Sequence, residues 1–189
     1  QKIDGINNTN LSADSHRLLQ KNTTRSDQLK YEAKPQIQHL IDPEAWATIF
    51  FTSGSTGSPK AVVHSLSSHF FSALGANELM PLYPGDRWLL SLPLYHVGGL
   101  AIFFRTLLSG AAMVISSKNK SLVETLRSQK VTHLSLVPTQ LQRLLQTSQG
   151  KDNLRRLKII LLGGAPIPQT LLEQTSELGL NVQTTYGST

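Results

Sequence analysis

The sequence predicts an α/β domain whose sheet is mostly parallel and flanked by helices. Three observations carry that expectation. Short apolar runs recur from residue 48 onward. Several are continuously apolar rather than alternating, the pattern of strands buried on both faces. Helix-start signals stand between them, and strand–helix alternation argues for parallel pairing.

Taken in order, residues 1–42 form a polar entry segment in which only Leu18, Leu19 and Leu29 hint at a helix. The predicted core domain runs from 43 to 189. Its first strand, Thr48 to Thr52, feeds a glycine- and serine-rich loop. Strands follow at Trp88–Leu92, Ala112–Ser116, Val131–Val137, Leu157–Leu162 and Leu180–Thr185. Val97 to Ile115 is almost wholly apolar but holds Arg105, which is costly in a bilayer. A buried helix followed by a buried strand explains that stretch, and no membrane span is expected. Ser121-Leu-Val-Glu124 reads as a capping box with Leu122, Val123 and Leu126 facing inward. Pro138 opens a helix with Leu141, Leu144 and Leu145 on one side, and Pro168 opens another through Leu171, Leu172 and Leu178.

Composition narrows the function. Cysteine is absent from the 189 residues, which excludes disulfides, thiolate metal sites and cysteine nucleophiles. It is compatible with a reducing cytosol, and a cytoplasmic location is expected. Six histidines without ligand spacing do not make a metal site. The net charge of +6 favours anionic partners. No Lys/Arg-rich run exceeds two residues and aromatics make up only 6%, so nucleic acid is the weaker partner. A homo-oligomer is compatible with the sequence.

The loop Thr52-Ser-Gly-Ser-Thr-Gly-Ser-Pro-Lys60 offers hydroxyls, backbone N–H groups and an ammonium to an anion, and its glycines allow close approach. It is read as a polyphosphate site, with a plain flexible connection as the alternative. It is not a Walker A loop, because Pro59 precedes Lys60 and Ala61 follows it. Three more motifs also follow strands: Pro93–Gly99, Gly163–Pro166 and Tyr186–Thr189. Ligands of such sheets bind beyond the carboxyl ends of the strands, so these loops are expected to line one crevice. Arg105 interrupts an apolar run and calls for an anionic partner, unless it reaches solvent or pairs with a protein acid. Thr139, beside Pro138, helps start a helix on the plain reading.

These motifs, in this order, resemble those of the adenylate-forming superfamily of acyl-CoA synthetases and adenylation domains, over roughly residues 46–189. Ser135-Leu-Val-Pro-Thr-Gln-Leu141 and Leu161-Leu-Gly-Gly-Ala-Pro-Ile-Pro168 are similar to the o-succinylbenzoate–CoA ligases of menaquinone and phylloquinone synthesis. The resemblance implies part of the large N-terminal domain of a two-step ligase. ATP, with Mg²⁺, would activate o-succinylbenzoate as an acyl adenylate, and coenzyme A would then take the acyl group. It also implies roles. Thr52, Ser53, Gly54, Ser55, Thr56, Gly57 and Lys60 would hold phosphates. Gly163, Gly164 and Ala165 would admit adenine, Tyr186 with Gly187 would stack on it, and Thr189 would contact the α-phosphate. His96 would orient the acyl carboxylate, while Arg105, Ser135 and Thr139 would bind the rest of the acid. His16, His39, His64, His69 and His133 are read as structural or exposed. The glutamate, aspartate and lysine that complete the family's site are not in the chain, so it is expected not to turn over alone. Other carboxylates, or a nucleotide-binding module without chemistry, are the alternatives.

Overall fold

The computed structural model describes residues 42–52, 59–117 and 119–187. The chain divides into two compact units, 1–42 and 43–189, and apart from Asp42 the described residues belong to the second. The expected helix around Leu18, Leu19 and Leu29 lies outside the described residues.

Strands β1 (Trp46–Thr52) and β2 (Lys60–Ser65) form an antiparallel pair, with Thr52 opposite Lys60. Helix α1 (Leu66–Leu79) continues directly from β2, capped by Ser65, whose hydroxyl accepts from the Ser68 N–H at 3.2 Å. Next come β3 (Arg87–Leu89), α2 (Val97–Ser109), β4 (Ala112–Val114) and α3 (Leu122–Ser128). After them run β5 (His133–Leu136), α4 (Pro138–Leu145), α5 (Ser148–Arg155), β6 (Ile159–Leu162), α6 (Gln169–Glu177) and β7 (Val182–Thr184).

Strands β3 to β7 form a five-stranded sheet in the order β4-β3-β5-β6-β7, parallel throughout. The expected α/β architecture is therefore present. One expectation is corrected. The strand leading into the serine-rich loop is not part of the parallel sheet but pairs with β2 in a separate hairpin. Its residues alternate, with Phe50 buried and Ile49 and Phe51 exposed, as a strand packed on one face must.

Alternation also divides the core. Leu89, Leu134, Leu136, Ile160 and Leu162 pack with Leu126 of α3, Leu141 and Leu144 of α4, Leu154 of α5 and Leu171 of α6. On the other face Trp88 packs with Ile102 of α2 and with Leu82. The predicted caps hold. Ser121 Oγ accepts from the Glu124 N–H at 3.2 Å while the Glu124 carboxylate accepts from the Ser121 N–H at 2.7 Å. Pro138 sits at the first position of α4, and the Gln140 side chain accepts from the Val137 N–H at 3.0 Å.

Candidate functional site

Chain direction fixes where a ligand can enter. From β3 the chain moves to its neighbour β4, then returns across the sheet to β5 on the other side of β3. The reversal between β3 and β5 leaves a crevice at the carboxyl ends of those strands, the usual ligand position in open α/β sheets. Hydrogen bonds tie the loops along this edge. Ser91 Oγ donates to Ser135 O across the reversal. Gly163 N donates to Leu136 O at 3.1 Å, and Thr185 N to Leu162 O at 2.9 Å.

Two glycines are dictated by close approach. A Cβ on Gly163 would stand 2.8 Å from the Thr185 carbonyl oxygen, so only glycine lets the β6 and β7 loops meet. A Cβ on Gly99 would fall 2.7 Å from Leu92 O and closer still to Pro93, so Gly99 seats the start of α2 on the preceding turn. That turn presents His96, which is exposed at the N-cap of α2 with its ring 4.6 Å from that of Tyr95. Gly164, Ala165, Tyr186 and Gly187 are exposed beside Gly163 and Thr185, and the Tyr186 ring is free of packing. Thr139 is exposed on the first turn of α4, at the end of β5.

Three of the four expected loops therefore share one edge. The fourth belongs to the hairpin. Thr52 ends β1 and its hydroxyl donates to Lys60 O at 3.5 Å, while Lys60 opens β2 and is exposed. Ser53, Gly54, Ser55, Thr56 and Gly57 lie outside the described residues, as does Thr189.

Two acyl-site candidates are placed differently from the loops. Arg105 is 3% exposed, on α2 and about 13 Å of helix rise from His96. Its guanidinium carbon lies 4.1 Å over the Trp88 ring, Nε donates to Asn77 Oδ1 at 3.1 Å, and Nη2 faces the carbonyls of Ala76 and Met80 at 3.4 Å. Among the described residues these hydrogen-bond partners are all neutral. Burial pushes its pKa down to about 10, so it remains charged at neutral pH. Ser135 is 3% exposed, and its hydroxyl accepts from Trp88 Nε1 at 3.1 Å. It turns toward Trp88, on the sheet face that α2 covers. Asn77, Trp88 and Ser91 were not anticipated. Ser91 adjoins a motif that was, while nothing local marks Asn77 or Trp88, because their partners are 28 and 47 residues away.

Among the described residues no group of three His, Asp or Glu side chains could hold a metal ion, and no helix is long and apolar enough to cross a membrane.

Residues 4–189 match the family model described as AMP-binding enzyme. The 2-succinylbenzoate–CoA ligase of Salmonella typhimurium is 46% identical over 147 residues, covering 78% of this chain and 31% of that protein. The 2-succinylbenzoate–CoA ligase of Bacillus subtilis is 35% identical over 168 residues, covering 86% and 34%. Among solved structures, E. coli MenE with a bound phenylether-linked analogue of OSB-AMS superposes with a TM-score of 0.66 at 41% identity, covering 78% of this chain and 31% of the other. Bacillus subtilis MenE in complex with ATP and magnesium ion superposes with a TM-score of 0.64 at 33% identity, covering 75% and 30%. The chain thus spans about a third of the length of these relatives.

Proposed function

This chain belongs to the AMP-binding enzyme family, and from that premise we propose that the protein carrying it is an o-succinylbenzoate–CoA ligase. The observation that carries the proposal is the meeting of Gly163 with Thr185 beside exposed Tyr186, on the sheet edge where the chain reverses. It brings close-packed glycine backbone and an exposed aromatic ring together on one edge, the surfaces that a flat purine packs against. Resemblance to ligases of the same acid supports the choice of substrate.

In the first step a carboxylate oxygen of the acid attacks the α-phosphorus of ATP, and the bond to the β-phosphate oxygen breaks to release pyrophosphate. In the second the thiolate of coenzyme A attacks the acyl carbon, and AMP leaves with the electron pair of the anhydride bond. Both steps need charge neutralisation and alignment more than covalent help from the protein. Thr52, Lys60 and the residues between them hold the β- and γ-phosphates, with Mg²⁺ carried in on the triphosphate. Gly163 to Ala165 and Tyr186–Gly187 hold the adenine, and Thr189 contacts the α-phosphate. His96 orients the reacting carboxylate, and Thr139 borders the acid. Arg105 supplies positive charge to the second carboxylate, supported by its lack of a charged hydrogen-bond partner. Ser135 acts by steadying Trp88 beneath that charge. We place the reaction in the cytoplasm, where ATP and coenzyme A are supplied.

Pyrophosphate exchange in the full-length protein is the test. Exchange should require o-succinylbenzoate. No exchange with that acid, or a preference for monocarboxylates over it, would overturn the assignment.

A further inference from the structure

Under the β1–β2 hairpin lies a cluster that the proposed chemistry does not use. His69 of α1 is 6% exposed, and its Nε2 is 2.7 Å from Thr48 Oγ1 of β1. Its ring stacks on Phe104 of α2 with centroids 4.9 Å apart and planes 8° from parallel. The His64 ring of β2 is 5.4 Å away, and Phe50 of β1 packs edge-on against both imidazoles at 5.7 and 6.3 Å. His64 Nε2 is buried without a hydrogen-bond partner among the described residues. Four elements therefore meet on two imidazoles.

We propose that His69, packed against His64, forms a pH-sensitive clasp that seats the hairpin on α1 and α2 while its ring is neutral and releases it when that ring takes up a proton. The reasoning is steric and electrostatic. A His69 imidazolium stacked on Phe104 with Phe50 at its edge has given up most of its water, and among the described residues the Thr48 hydroxyl is the polar group its ring contacts. Any positive charge on His64 would stand 5.4 Å from it between ring centroids, with no anion between them among the described residues.

The other groups facing the pair do not offset this. β1 presents Thr48 and Phe50, and α2 presents Phe104, none of which is ionisable in this range. On α1, Glu78 is more than two turns beyond His69. Burial first, and the charge of His64 second, hold the His69 pKa below its usual value. The sign follows. A folded pKa below the unfolded one means that the clasp is whole above about pH 6.5 and weakens as pH falls below it.

Amide hydrogen exchange resolves the hairpin from the sheet in the intact chain. Between about pH 7.5 and 5, after correction for intrinsic rates, protection of the β1 and β2 amides should fall about tenfold. The double variant His64→Phe with His69→Gln, which keeps an aromatic ring and a hydrogen-bonding group, should lose most of that fall. Hairpin protection that stays constant over this range, or an unchanged pH response in the double variant, would overturn the proposal. If the variant does not fold, histidine ring titration in the unchanged chain decides. Hairpin amide resonances that shift in step with the His69 ring support the clasp, and a His69 ring titrating without them overturns it.

Discussion

Gly163 has no room for a methyl group. Its replacement by alanine would push the β6 loop off Thr185 and disturb the surface proposed for adenine. We expect Gly163→Ala to cost roughly 1–3 kcal/mol, read as a lower urea midpoint, because the obstacle is backbone and cannot rotate away. Arg105 tests a different contact. Lysine keeps its charge but loses both the planar stack on Trp88 and the Nε bond to Asn77. Arg105→Lys should therefore lower stability by about 1–2 kcal/mol in the same assay. The sequence marked Gly163 and Arg105 as special but did not show the protein contacts that hold them. Those are with partners remote in sequence, Thr185 for the glycine and Asn77 with Trp88 for the arginine.

Elements were legible where a local rule decides them. The Ser121 box, the Pro138 start and the apolar strands from β3 to β7 were each readable in place, though the strands are shorter than the apolar runs that contain them. Helix α5 was not, because Ser-Gln-Gly-Lys-Asp-Asn-Leu-Arg carries one apolar residue and no stripe. It is held from its ends. Thr147 Oγ1 accepts from the Gly150 N–H at 3.0 Å, and Leu154 is 1% exposed in the core. With so little of its own packing, α5 should depend on its cap, and Thr147→Ala should cost about 1 kcal/mol in thermal or urea unfolding. The β1–β2 pair was missed for another reason. An apolar strand before a loop looks the same whether its partner is parallel or antiparallel, and the deciding contacts come from β2 and α1.

At the scale of the whole molecule, acid stability divides into two windows. Asp86 is 3% exposed at the amino end of β3 and accepts from Lys158 Nζ at 2.6 Å and from the Tyr83 N–H at 3.1 Å. Burial raises its pKa, but the hydrogen bonds from Lys158 and Tyr83 and the positive charges of His133 and Lys158 together hold it below the usual value. Its contribution is thus present above about pH 4 and lost as pH falls through the folded value. His133, stacked on Trp88 at 5.2 Å, works higher. Burial lowers its pKa, so stability is full above about pH 6.5 and declines below. A urea midpoint measured against pH should show both limbs, and Asp86→Asn should flatten the lower one and deepen the upper one, because the Asp86 charge partly offsets the burial of His133.

The separation of the hairpin from the parallel sheet has a thermodynamic corollary. Lys60 and Gly163 belong to two hydrogen-bonded frameworks with no strand in common. A molecule long enough to be gripped at both ends would act as a splint across them. Part of its affinity would be spent on fixing the distance between its own two anchor points.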